Sequence, residues 1–422
     1  MRRLWIAAVV ILLAAASHLP AVAADASLRQ GDYVAVVGDS ITEQRLYSMY
    51  IEDYLLMCKP AADLRVTQFG WGGETAPGFA ARMGNDMVRF GAQVATTCFG
   101  MNDGAYSPMD PAKEQRYRDG QKSIIAQMKK AGVRLIVVGS PGCVDADTFA
   151  GHNPKQAVMY NKTLSQLRDV AKSVGAEEGV VYADVFDPMM EVMTKAKAKY
   201  GKAYHFAGPD GVHPDCNGHL VMAYAFLKAL GCDGRIGTIT VDLAANKAEA
   251  TEGHKVLSCT DGQVEIESAK YPFCFFGDPA QTNSTRGIIE FFPFNDELNR
   301  YQLVVTNLGA EKAKITWGKT TKEFTAAQLA KGVNLAAEFL DNPFAEPFGK
   351  VQEKIRQQQE MEVGLVKNLI HNLPGYQSVL PGEEKTLERF AKGLVERDRE
   401  ARNASAAAVV PVRHTIKIEA VK

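Results

Sequence analysis

Four short segments carry residue types able to perform nucleophilic chemistry with a serine. Gly38-Asp39-Ser40 closes the apolar run Tyr33-Val34-Ala35-Val36-Val37. A fully apolar run of that length is a buried parallel strand, and open α/β sheets place ligands outside the carboxyl ends of such strands. Ser40 is therefore placed to be a nucleophile and Asp39 to stabilise its loop. Read alone, the same residues serve equally as a helix N-cap and a turn acid. Gln68-Phe69-Gly70-Trp71-Gly72-Gly73-Glu74-Thr75 follows a second strand candidate. Its glycines let the backbone turn and expose N–H groups, as an oxyanion hole requires; a tight turn with no ligand is the plainer reading. In Phe99-Gly100-Met101-Asn102-Asp103-Gly104 the Asn102 amide can donate to the same oxyanion or fold back as an Asx-turn. In Asp210-Gly211-Val212-His213-Pro214 the acid can meet imidazole Nδ1 and leave Nε2 facing the serine; otherwise Asp210 caps a surface turn. His205 and His219 lack that relation to an acid and read as structural or rim residues.

The elements that must position these segments alternate. Strand candidates are Tyr33–Val37, Leu64–Gln68, Val94–Phe99, Leu135–Gly139 and Val180–Ala183. Amphipathic stretches lie at Tyr47–Cys58, Gly78–Phe90, Pro111–Ala131 and Gln156–Gly175, with a last helix over Asn217–Leu230. Such alternation gives an α/β fold, a parallel sheet covered on both faces, here a three-layer α/β/α sandwich over residues 24–232. From 233 to 345 the runs Ile236–Leu243, Lys255–Ser258, Val264–Glu267, Gly287–Phe292, Tyr301–Asn307 and Ala313–Trp317 predict a β-rich, sandwich-like module, with a hairpin at Asp261-Gly262 and a closing helix at Thr325–Lys331. Residues 346–422 read as a helical hairpin followed by a terminal strand that returns to this module.

Taken in order, the four segments resemble the SGNH (GDSL) hydrolases over about residues 32–230. Gly38-Asp39-Ser40 matches the first block of that family and Gly73 the second. Gly100-x-Asn102-Asp103 matches the third, and Asp210-x-x-His213 the last. One departure is Gln68, where the family often has Asn. The resemblance implies a flavodoxin-like fold and serine ester hydrolysis through an acyl-enzyme, with no cofactor. Ser40 would be the nucleophile, His213 the general base and then acid, and Asp210 its orienter. The N–H groups of Ser40 and Gly73 and the Asn102 amide would form the oxyanion hole. No G-x-S-x-G elbow occurs, since Thr42 stands two residues after Ser40, which excludes the main rival serine-hydrolase fold.

Composition narrows the setting. Lys plus Arg against Asp plus Glu is 48 − 49 = −1 over 422 residues, and no long basic tract suggests a nucleic-acid partner. Arg2-Arg3, the apolar stretch Leu4–Ala16 and Ala21-Val22-Ala23 form a signal peptide over residues 1–23; the alternative is an uncleaved anchor. No other segment approaches the ~20 apolar residues of a membrane span. The protein is expected to be periplasmic or secreted, without a stable membrane anchor. Export permits disulfides, and Cys259 with Cys274, and Cys143 with Cys216, are candidate pairs among seven cysteines. No Cys/His spacing indicates a metal site. Trp71 and Tyr106 lie beside the motifs as candidate pocket walls, or as core residues. The expected substrate is a small-molecule or polysaccharide ester, cleaved by a short-chain esterase or carbohydrate O-acetylesterase. The alternatives are a lipase, lysophospholipase or thioesterase of the same family, and a non-catalytic glycan-binding protein on a degenerate hydrolase fold.

Overall fold

The apolar runs of the first half become a sheet because nothing in them tolerates water. In the computed structural model, which describes residues 27–149 and 153–421, they are β1 (Tyr33–Gly38), β2 (Arg65–Gly70), β3 (Val94–Cys98), β4 (Leu135–Gly139) and β5 (Val181–Ala183). β1, β3 and β4 are buried along their whole length, as strands covered on both faces must be. All pairings are parallel, in the order β2-β1-β3-β4-β5. This is the flavodoxin-like order, whose switch point lies between β1 and β3. Gly38 aligns with Gly70 of β2 and with Cys98 of β3, so three strands end level and their following turns meet. Helices Ala76–Asp86, Pro111–Lys130 and Pro154–Glu178 pack together, as do Tyr47–Asp53, Cys216–Ala229 and Phe186–Tyr200. Several begin on a capping side chain followed by proline: Asp110 accepts from Lys113 N and Asn153 from Gln156 N, which satisfies orphan donors of the first turn. Phe186–Tyr200 is a helix that the sequence reading passed over. Its Pro188 falls in the first turn, where no N–H is needed. The expected signal peptide lies outside the described residues. Among those residues no helix is long and apolar enough to cross a membrane.

The second half holds two further sheets. Strands β6 (Arg235–Asp242), β7 (Lys247–Ala250), β8 (His254–Thr260), β9 (Gln263–Ser268), β10 (Arg300–Thr306), β11 (Lys312–Trp317), β12 (Thr320–Thr325), β13 (Val333–Asn334) and β14 (Val412–Val421) are ordered β13-β10-β6-β7 and β12-β11-β14-β9-β8. Two expectations are corrected. Gly287–Phe292 is not a strand: it holds a 3-10 turn at Ile289–Phe291. Its aromatics leave the module and pack on the hydrolase half, Phe291 on Tyr200 and Phe292 on Tyr224. Neither candidate disulfide forms, and all seven cysteines are free. Cys274 is buried and directs its Sγ to Pro272 O and Asn342 Oδ1, while Cys259 sits half-buried on β8.

β14 pairs with β11 on one side and β9 on the other, so the last strand is central to its sheet. The helical segment 345–407 is therefore an excursion that leaves the β-module and returns to it. It spends that excursion on the exposed edge of the parallel sheet. Glu362 Oε2 accepts from Gln68 N at 3.0 Å and Gln358 Nε2 donates to Val66 O at 3.1 Å. The helix thus supplies the partners a neighbouring strand would have given, one of the ways an edge is kept from pairing with another chain. Three buried carboxyls, Glu52, Glu362 and Asp398, meet here around Arg402. Burial pushes the Glu52 carboxyl up to about 8, against opposing hydrogen bonds from Gln359 and Gln358. Burial also raises Glu362, with Asp398 and Glu52 adding to it. A carboxyl raised on folding contributes stability that is full below its unfolded value and is lost as pH rises through the folded one. Thermal unfolding should therefore show the protein losing on the order of a few kcal/mol from pH ~5 to pH ~9 through this cluster, and Glu52→Gln should flatten that slope.

Candidate active site

The level ends of β1, β2 and β3 deliver three of the four segments to one place. Ser40 begins the helix Ser40–Glu43 directly after β1, with Asp39 as its N-cap, accepting from Ile41 N at 3.0 Å. That helix lies hard against the end of β2. A Cβ on Gly70 would sit 2.2 Å from Glu43 N, so only glycine admits this approach. Gln68, the position that departs from the usual Asn, accepts from Gly70 N at 2.9 Å through Oε1. It supports the turn with a longer arm, whose Nε2 also reaches Gln359 O.

The fourth segment reaches the serine from the loop before helix Cys216–Ala229. His213 Nε2 stands 2.7 Å from Ser40 Oγ, and His213 Nδ1 stands 2.6 Å from Asp210 Oδ2. Asp210 Oδ1 accepts from the backbone N–H groups of Val212 and His213, each at 2.9 Å. Burial alone would raise the Asp210 carboxyl. The backbone N–H of His213, its imidazole and the Val212 N–H outweigh burial and hold the carboxyl below its ordinary value. An ionised Asp210 accepts a hydrogen bond from His213 Nδ1–H, which leaves Nε2 free to accept from the Ser40 hydroxyl. The loop closes so tightly that a Cβ on Gly208, at φ +77°, would meet His213 O at 1.8 Å.

Gly73 lies in the turn after β2 at φ +74°, and its N–H makes no hydrogen bond to a described group. Ser40, as first helical residue, has no intrahelical acceptor for its own N–H. Asn102 is half-buried, and its Nδ2 donates to Glu74 O at 3.0 Å, which ties the turn after β3 to the turn after β2. Asp103 strengthens the same join, accepting from Ala76 N and Gly100 N, each at 3.0 Å. Burial raises Asp39 to about 7 and Asp103 to about 6. Asp39 supports the backbone that follows Ser40, and Asp103 supports the turns after β2 and β3. His219 is a core residue, accepting from Tyr47 N and bonded to Gln44 Oε1; burial lowers it to about 3.

An open cleft of about 550 Å³ lies over Ser40, Asp210 and His213, with Glu43, Gln44, Pro209 and Asp215 completing its lining. Trp71 and Tyr106 are not lining residues. The Trp71 ring is taken up by His371, 4.6 Å away, and by Arg82 and Lys367. Tyr106 stacks on Tyr160 at 4.8 Å. Glu43, Asp215 and Lys367 escaped the sequence reading. Glu43 lies three residues after Ser40 and so returns to the same helix face, the one signal that pointed to it. Lys367 carries no local signal. Among the described residues no group of three or more His, Cys, Asp or Glu side chains is arranged to hold a metal ion.

Residues 36–221 match the GDSL-like Lipase/Acylhydrolase family. This segment is a GDSL-like acylhydrolase domain. The chain is accordingly a carboxylic ester hydrolase. The acetylxylan esterase of Geobacillus stearothermophilus is 24% identical over 223 residues, which are 48% of this chain and 94% of that protein. A crystal structure of that esterase aligns over 49% of this chain and 96% of its own at 22% identity, with a TM-score of 0.40. A gut microbial diltiazem-metabolizing enzyme aligns over 94% of this chain and 100% of its own at 22% identity, with a TM-score of 0.71. The fold it shares therefore runs beyond the GDSL domain into the β-module and the helical excursion. If Asn102 serves as the expected oxyanion donor, replacing it by Ala removes that donor together with the link to Glu74. A donor of this kind contributes ~2.7–4 kcal/mol to the transition state, so turnover should fall about a hundredfold or more while the circular-dichroism spectrum stays unchanged.

Proposed function

We propose that the protein is an exported esterase that removes short acyl groups, most simply acetyl, from a carbohydrate or other hydroxyl-rich alcohol. The observation that carries the chemistry is the continuous relay from Ser40 Oγ through His213 to Asp210 at 2.7 and 2.6 Å. Ser40 attacks the ester carbonyl while His213 Nε2 takes its proton. The oxyanion is held by the N–H groups of Ser40 and Gly73 and by Asn102. His213 returns the proton to the leaving alcohol, and water releases the acid by the same path in reverse. Asp210 holds the imidazole and stabilises its positive charge.

The substrate reading rests on the cleft. It is open, and Glu43, Gln44, Asp210 and Asp215 place carboxyl and amide groups along its wall. Such groups can hydrogen-bond the hydroxyls of a sugar. The likeness to an acetylxylan esterase points the same way. Export rests on the basic, apolar and small-residue pattern of residues 1–23.

A series of nitrophenyl esters should show the highest kcat/KM for acetate, declining with acyl length, and acetylated xylan should release acetate. Preference for long chains would sink the short-acyl reading. Ser40→Ala should abolish turnover of all of them. Asp210→Asn should lower kcat by about 10⁴-fold through the wrong imidazole tautomer.

A further inference from the structure

The helical excursion that caps the sheet edge also enters the site. Glu43 closes the nucleophile helix and uses both carboxylate oxygens. Oε2 accepts from Gly72 N at 2.5 Å, and Oε1 meets Lys367 Nζ at 2.6 Å. One side chain therefore joins the helix that begins at Ser40 to the turn that presents Gly73, the residue after Gly72. Lys367 lies in the π-helical stretch Leu365–Ile370 of the excursion, 324 residues away from its partner. Its Nζ stands 4.7 Å from the Trp71 ring centre, and Arg82 Cζ stands 4.5 Å from that centre. His371, one turn end further on, contacts Trp71 and bonds Asp86 Oδ2 at 2.8 Å, while Arg82 bonds Asp86 and Glu74. Residues 71–74 are thus gripped at Trp71, Gly72 and Glu74 while the Gly73 N–H is left open. The Lys367 and Glu43 side chains are each about one-quarter exposed, which shields the pair from solvent more than a surface pair is shielded.

We propose that Lys367 is a positioning residue for ester hydrolysis: paired with Glu43, it fixes the distance between the two backbone donors of the oxyanion hole, so the GDSL domain depends on the C-terminal excursion for its catalytic geometry. This rests on Ser40 and Gly73 acting as those donors. Without the ammonium, the Glu43 carboxylate faces the cleft as an unpaired charge and turns toward water. Gly72 N then loses its acceptor, and the turn carrying Gly73 gains freedom. Oxyanion stabilisation depends on donors held in place before charge develops, so the cost falls on turnover and not on ground-state binding.

The test uses the full chain and a nitrophenyl acetate assay, with thermal unfolding measured on every variant. Wild type against Ser40→Ala decides the esterase reading itself: equal rates there reject the reading before Lys367 is considered. With that control passed, Lys367→Met should lower kcat about tenfold with KM within twofold, and should slow inactivation by a serine-directed phosphonate in parallel. Lys367→Arg should restore most of the rate. Glu43→Gln should show the same split, and the double variant Glu43→Gln/Lys367→Met should be no slower than the worse single one, the non-additivity expected of a pair acting as a unit. A folded Lys367→Met enzyme with wild-type kcat, or additive losses in the double variant, overturns the proposal. Should Lys367→Met not fold, wild-type kcat in Glu43→Gln overturns it alone.

Discussion

The site depends on one carboxylate held by three N–H groups. Asp210 receives the backbone donors of Val212 and His213 on one oxygen and the imidazole on the other. That arrangement fixes a tautomer as well as a position. An imidazole with its proton on Nδ1 has one place left to act, and Nε2 meets Ser40 there. The loop can close this tightly because Gly208 brings its backbone to within contact of His213 O, where any side chain would collide. The relay is therefore built from backbone geometry as much as from the three side chains that perform it.

The sheet supplies the second half of the arrangement. Strands that end level place their outgoing turns side by side, and short polar links then lock the turns to each other. Asp103 bridges the turns after β2 and β3, and Asn102 repeats that bridge through Glu74. Glu43 bridges the turns after β1 and β2. The Asp103 links consume backbone N–H groups that would otherwise be stranded in buried surroundings. The turn that carries Gly73 is in this sense held by its neighbours, with the Gly73 N–H as the group left over.

Much of this was legible in the sequence because it is local. Apolar runs such as Tyr33–Val37 declare buried strands, and a Ser, Asn or Asp-x-x-His at their ends declares a site once the strands are known to be parallel. The first-half sheet agrees with that reading to within a residue or two at most strand ends. What escaped was non-local or locally contradictory. Phe291 and Phe292 looked like strand residues, and their β-propensity was overridden by aromatic partners on the hydrolase half. The helix Phe186–Tyr200 was masked by an early proline. The free cysteines reflect where the backbone carries each thiol, which no spacing reveals. Lys367 meets Glu43 only because β14 draws the end of the chain back into its sheet, so that the helices before it must cross the edge strand β2. Such a contact has no periodicity and no motif to announce it.

The central claim is that Ser40 forms a covalent acyl intermediate aimed by His213. Rapid-quench mass spectrometry of the protein mixed with excess nitrophenyl acetate tests it most directly. The account predicts a transient mass increment of one acetyl group, confined to the peptide containing Ser40, appearing with the nitrophenol burst and absent in Ser40→Ala. Turnover with no adduct on that peptide, or an acetyl group carried by another residue at the same rate, would contradict it.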